Sequence, residues 1–151
     1  MIRTRPYESA DHDFVLGLAP RLAIGMRPWR EREQWLKAVE GWLTDSLAAH
    51  PTKSWAVIAV DERGERLGFA SVTSNEHFTG QRQAYIGELA STEASEGQGV
   101  GRALVAACEE WARSTGHGLI TLTTGGGNER ALGFYRHLGY VDEDVSLTRE
   151  L

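Results

Sequence analysis

The residues best suited to chemistry run from Leu89 to Arg102, where the sequence reads Leu-Ala-Ser-Thr-Glu-Ala-Ser-Glu-Gly-Gln-Gly-Val-Gly-Arg. Glycines at 97, 99 and 101 remove the Cβ atoms that would hinder close approach to a ligand. The free N–H groups in the first turn of a following helix carry partial positive charge. Such a turn suits a pyrophosphate. Spacing narrows the choice of ligand. A dinucleotide fingerprint starting at Gly97 needs glycine at position 102, where Arg102 stands, and a Gly-Lys-Ser/Thr phosphate loop is absent. Taken alone, the turn is either a phosphate cradle of another kind or a bend that needs glycine only for its backbone angles.

A second cluster follows about 30 residues later, Asn128-Glu-Arg-Ala131-Leu-Gly-Phe134-Tyr135-Arg-His-Leu-Gly139-Tyr140. With both clusters in view the chain resembles the GNAT (Gcn5-related) acetyltransferases. Their cofactor motif runs Gln/Arg-x-x-Gly-x-Gly/Ala, and a later helix often reads Asn-x-x-Ala-x-x-Phe-Tyr-x-x-x-Gly-Phe/Tyr. Gly99 and Gly101 match the first pattern; Asn128, Ala131, Phe134, Tyr135, Gly139 and Tyr140 match the second. One position departs, since Glu96 stands where the family has Gln or Arg. A carboxylate beside a pyrophosphate is unfavourable unless its side chain points away.

The resemblance implies an α/β fold, one GNAT-like domain over residues 1–151 with a mixed, mostly antiparallel sheet flanked by helices. It implies an N-acetyltransferase in which a primary amine of a small molecule attacks acetyl-CoA, the acyl-donor cosubstrate, directly in a ternary complex. A protein lysine or N-terminus is the alternative acceptor, and a non-catalytic acyl-CoA-binding domain is the alternative role. In this scheme Tyr135 protonates the leaving thiolate; its other reading is a core aromatic beside Phe134. Leu89, Ala90 and Ser91 run along the pantetheine arm, with a backbone N–H near Ser91 polarising the carbonyl. Gly97, Gln98, Gly99, Val100, Gly101 and Arg102 cradle the phosphates, and Asn128, Ala131 and Phe134 lie on the cofactor side. Asn128 also suits a helix cap. Glu88 is the candidate general base, acting directly or through water, or else a structural carboxylate. Trp29, Tyr85 and Phe78 are the candidate acceptor-binding residues. Direct attack leaves no role for Cys108 as a nucleophile; its place on an apolar helical stripe makes it a buried thiol.

The elements that must position these side chains follow from periodicity. A short strand at 2–6 precedes a helix carrying Phe14, Val15, Leu18 and Leu22, capped by Ser9 or Asp11 and broken near Pro20 and Pro28. Residues 31–49 place Trp35, Val39, Trp42, Leu43 and Leu47 on one helical stripe, which makes both tryptophans structural. Strands at 55–60, 67–73 and 84–91 come next, the first two joined by the turn at 61–64. Simple alternation puts Glu88 on the face of Ile86 and Ala90, opposite Leu89 and Ser91. After the glycine turn, Val100, Ala103, Leu104, Ala107, Cys108 and Trp111 define a helix that Gly116 and Gly118 end. A strand at 119–124, a helix at 129–138 and a short strand or pair of strands up to Leu151 complete the order.

Bulk properties exclude other classes. A chain of 151 residues is one domain by size, and 41% hydrophobic with 25% charged residues is the composition of a folded globule. Net charge is −5, which argues against a phosphate-neutralising face for nucleic acid and is compatible with cationic amines. Neither one cysteine nor five scattered histidines makes a disulfide or a metal site. No apolar run spans a membrane and no signal peptide opens the sequence, so a soluble, reducing, cytoplasmic setting is expected. Dimers are common among proteins of this family, and the resemblance allows a homodimer.

Overall fold

The computed structural model describes the whole chain, Met1 to Leu151. Its centre is a five-stranded sheet in chain order: β1 (Arg3–Pro6), β2 (Ser54–Val60), β3 (Arg66–Glu76), β4 (Arg82–Ser91) and β5 (Ile120–Leu122). The first three pairings are antiparallel and β4–β5 is parallel. The hairpins from β2 to β3 and from β3 to β4 return the chain antiparallel and the helical crossover from β4 to β5 returns it parallel, while β1 and β2 pair antiparallel across a long helical connection. Helices α1 (His12–Leu16) and α2 (Arg32–Ala49) cover one face, and α3 (Val100–Ser114) covers the other. Helix α4 (Glu129–His137) rests against the first turn of α3.

Strand β2 is apolar from Trp55 to Val60 because both of its faces are covered. Ala56, Ile58 and Val60 join the core under α1 and α2, while Val57 and Ala59 join the core under α3. On α2, Val39, Leu43 and Leu47 are buried at four-residue intervals, and Trp35 is half-buried with its indole N–H donated to the Leu22 carbonyl at 3.2 Å. Trp42 departs from the expected stripe: it is 59% exposed. Sitting one position before Leu43, it is turned about 100° away from the buried line.

The first helical region is more broken than its periodicity suggests. Short 3-10 segments at Ser9–Asp11 and Ala19–Ala23 flank α1, and Pro20 opens the second. Asp11 stands at the N-cap position of α1 but does not cap it. Its fully buried carboxylate accepts from Arg5 at 2.7 and 2.8 Å, from Arg66 at 2.7 Å and from the Glu8 N–H at 2.9 Å. Burial alone would raise its pKa, but these partners outweigh it and the pKa is lowered. The carboxylate therefore fastens β1 and β3 to the start of α1.

The C-terminus also differs from expectation. Residues 141–151 form no strand, and the outer edge of β5 has no strand partner. Val141, Val145 and Leu147 are 87%, 74% and 91% exposed, so no apolar face is buried to fix a register. The start of this segment is held back on α4 by Arg136, which binds both Asp142 oxygens at 2.9 and 2.6 Å.

Candidate active site

A gap opens where β5 stops. β4 pairs with β5 only at Ala84–Ile120, Tyr85–Thr121 and Ile86–Leu122, so residues 87–91 have no strand on that side. Beside the opening, Ser71 pairs with Glu88 and Val72 with Ile86, which leaves Gly87 as an extra residue. A bulge of this kind reverses alternation. Ile86 lies in the core under α3, whereas Ala90 lies in the core under α2 and Glu88 bonds to a residue of α2. The expectation that Glu88 shares a face with Ile86 is thereby corrected.

Glu88 is 6% exposed. Its Oε1 accepts from Ser46 Oγ at 2.8 Å and its Oε2 from Ser71 Oγ at 2.5 Å. Burial raises its pKa, the two serine hydrogen bonds pull it partly back, and the negative charge of Asp45 adds to the rise. A carboxylate in this setting is a stronger base than one in water.

Past Ser91 the chain makes a 3-10 turn at Glu93–Ser95 and enters the glycine segment. Gly97 and Gly99 take φ of 76° and 88°, the left-handed region, and no atom lies within 4 Å of where their Cβ atoms would be. The first α3 amide with a carbonyl partner is that of Ala103, which reaches Gly99 at 3.1 Å. The N–H groups of Val100, Gly101 and Arg102 have no acceptor in the chain. An open, Cβ-free surface lined by unpaired donors fits an anionic ligand. The residues expected to hold the phosphates of acetyl-CoA therefore stand together in suitable form.

Helix α4 completes one wall. Asn128 caps it, with Oδ1 accepting from Ala131 N–H at 3.2 Å. The Phe134 ring would lie 3.2 Å from a Cβ on Gly101, so glycine there lets α4 approach α3. The Tyr135 ring is 5.1 Å from Phe134 and 5.7 Å from Tyr140. Burial, with Cys108 adding to it, pushes the Tyr135 hydroxyl up to about 12, so it stays protonated at neutral pH. Cys108 is fully buried; burial, with Glu109 adding, pushes its thiol up to about 12 and leaves it un-ionised. Tyr135 also lines a groove of about 910 Å³ between β5, the end of α3, α4 and residues 140–146. None of Gly97 to Arg102 lines that groove. The free amides, not cavity size, mark the glycine turn.

The acceptor candidates are less gathered. Tyr85 is half-buried on the α2 face of β4, and Trp29 is 37% exposed in the loop before α2. Phe78 is 91% exposed at the β3–β4 hairpin tip, its ring 4.3 Å from His77. It stands at the opposite end of β4 from Ser91, about 30 Å away at the rise of a strand. The structure does not bring Phe78 to the gap.

Several contributors carry no local sequence signal. Arg21 donates Nε–H to the Ser91 carbonyl at 3.0 Å and pairs with Glu96. Residues 25–27 cross over the loop at 125–128: a Cβ on Gly25 would fall 2.4 Å from the Asn128 nitrogen. The run Gly125-Gly126-Gly127 was the available hint, because three glycines without a Cβ invite another backbone to approach.

A family model described as the acetyltransferase (GNAT) family matches residues 15–140. No curated protein matches the chain in sequence. Among solved structures, a putative acetyl transferase from Pyrococcus furiosus is 20% identical with a TM-score of 0.78, covering 100% of both chains. An aminoglycoside N-acetyltransferase, AAC(6')-Iy, solved with CoA, is 18% identical with a TM-score of 0.70, covering 99% of this chain and 95% of that one. A ribosomal-protein-alanine N-acetyltransferase from Brucella melitensis is 16% identical with a TM-score of 0.69 over 100% of both chains. At these identities the neighbours establish the fold.

Proposed function

Since this chain belongs to the GNAT acetyltransferase family, we propose that it moves the acetyl group of acetyl-CoA to a primary amine of a small molecule by direct attack. The observation that carries this reading is the Cβ-free turn at Gly97 and Gly99, whose neighbouring amides at Val100, Gly101 and Arg102 are unpaired beside the β4–β5 gap. When bound, acetyl-CoA supplies the activated thioester. The turn holds its phosphates, and the β4 backbone from Leu89 to Ser91 guides the pantetheine arm. Glu88 takes a proton from the acceptor's ammonium, directly or through water, so that the neutral amine attacks the thioester, and Tyr135 gives one to the leaving sulfur. Trp29 and Tyr85 line the acceptor side.

A cationic amine is favoured by the acidic pair at this face, the buried Glu88 and the nearby Asp45. The test is release of free thiol from acetyl-CoA across a panel of amines and peptide N-termini. Amine-dependent release is expected, with Tyr135→Phe lowering kcat about 100-fold and leaving CoA affinity unchanged. Binding of CoA with no turnover on any acceptor would overturn the catalytic reading. Turnover confined to peptides would overturn the small-molecule acceptor.

A further inference from the structure

Glu96, the residue that departs from the family pattern, is held by two arginines from opposite sides. Arg21, from the 3-10 helix Ala19–Ala23, bonds Oε1; Arg130, from the first turn of α4, bonds Oε2 at 2.5 Å. Arg21 also reaches the Ser91 carbonyl at the end of β4. Arg130 lies one helical turn before Phe134, so both face the start of α3, one touching Glu96 and the other packed at Gly101. The 3-10 helix that carries Arg21, the glycine turn and α4 thus converge on one carboxylate. Two guanidinium groups and one carboxylate leave a formal charge of +1 at the mouth of the turn.

We propose that Glu96 is a positioning residue for the cofactor, fixing Arg21 and Arg130 around the turn so that Arg130 contacts a phosphate of CoA. The inference rests on the acetyl-CoA reading above. Arg130 commits one of its five N–H donors to Glu96, and its side chain is 68% exposed, which leaves donors turned outward. The hydrogen bonds from Arg21 and Arg130 lower the Glu96 pKa, so the clamp stays charged through the neutral range. Plain electrostatics gives the opposite expectation, since removing a negative charge beside a pyrophosphate should tighten binding. The sign of the effect therefore decides between the two.

The test is CoA and dephospho-CoA affinity by calorimetry, with steady-state kinetics, for the wild type, Glu96→Gln, Arg130→Gln and the double variant. Each single variant is expected to weaken CoA binding about tenfold, the loss of one charge-assisted hydrogen bond. KM for acetyl-CoA rises while kcat at saturation holds. The double variant should lose less than the product of the two single effects, because the residues act as one unit. A loss seen with CoA alone places Arg130 on the 3'-phosphate, and an equal loss with dephospho-CoA places it on the pyrophosphate. Unchanged or tighter CoA binding in Glu96→Gln, or a fall in unliganded Tm with affinity intact, would overturn the positioning role. Failure of the wild type to bind CoA at all would instead overturn the acetyl-CoA reading.

Discussion

In its proposed role as general base, Glu88 would serve chemistry at the expense of stability. Its carboxylate is enclosed with only two serine donors, and burial raises its pKa. A general base must be ionised, so kcat/KM should climb with pH through a value above the ordinary carboxylate range. Ser71→Ala removes a hydrogen bond that favours the ionised form, so the acid limb of the pH profile should move to higher pH. The same shift sets the sign for folding. With the folded-state pKa above the unfolded one, the native protein binds the proton more readily, and stability declines as pH rises between the two values. Above both, the charge is buried at a cost. Glu88→Gln should therefore raise Tm at pH 7 while abolishing amine-dependent turnover. A lower Tm in that variant would show that the two serine bonds outweigh the desolvation of the charge.

At the scale of elements, the site depends on backbones that approach more closely than side chains would allow. Gly25 has φ of +82°, and its missing Cβ would lie 2.4 Å from the Asn128 nitrogen and 2.7 Å from its Cα. Both atoms belong to the backbone that starts α4, so neither can rotate aside. Gly25→Ala should cost about 1–3 kcal/mol and weaken CoA binding, because the displaced segment continues from the 3-10 helix that carries Arg21. Gly41 supplies the internal control. It lies inside α2, and nothing falls within 4 Å of a Cβ built on it. There the same substitution should stabilise by about 0.5–1 kcal/mol, since alanine loses less entropy in a helix. Thermal denaturation of the two variants checks the opposed signs, and calorimetry with CoA checks that affinity falls only at position 25.

For the whole molecule, legibility followed the range of the forces involved. Helix α3 could be read because its buried line of Val100, Leu104 and Cys108 repeats every four residues, and α4 because Asn128 and Gly139 mark its ends. The face of Glu88 could not, since one inserted glycine on β4 reverses the parity and leaves no periodic trace. The Glu96 clamp could not either, because its partners lie 75 and 34 residues away. The C-terminal segment misled in the other direction, as strand-like alternation at Val145, Leu147 and Leu151 has no buried face to pack on. These long-range contacts join α4, the glycine turn and the 3-10 helix that carries Arg21. A ligand bridging all three should stabilise the domain as a unit and not one element alone. At about 100 times its dissociation constant, CoA adds about 2.7 kcal/mol to unfolding, and for a domain of this size that is about 5–10 °C in Tm. A single cooperative transition moving by that amount is expected by calorimetry. No shift under saturating CoA would remove the cofactor assignment. A shift of only part of a split transition would show that the walls of the gap fold independently of the sheet.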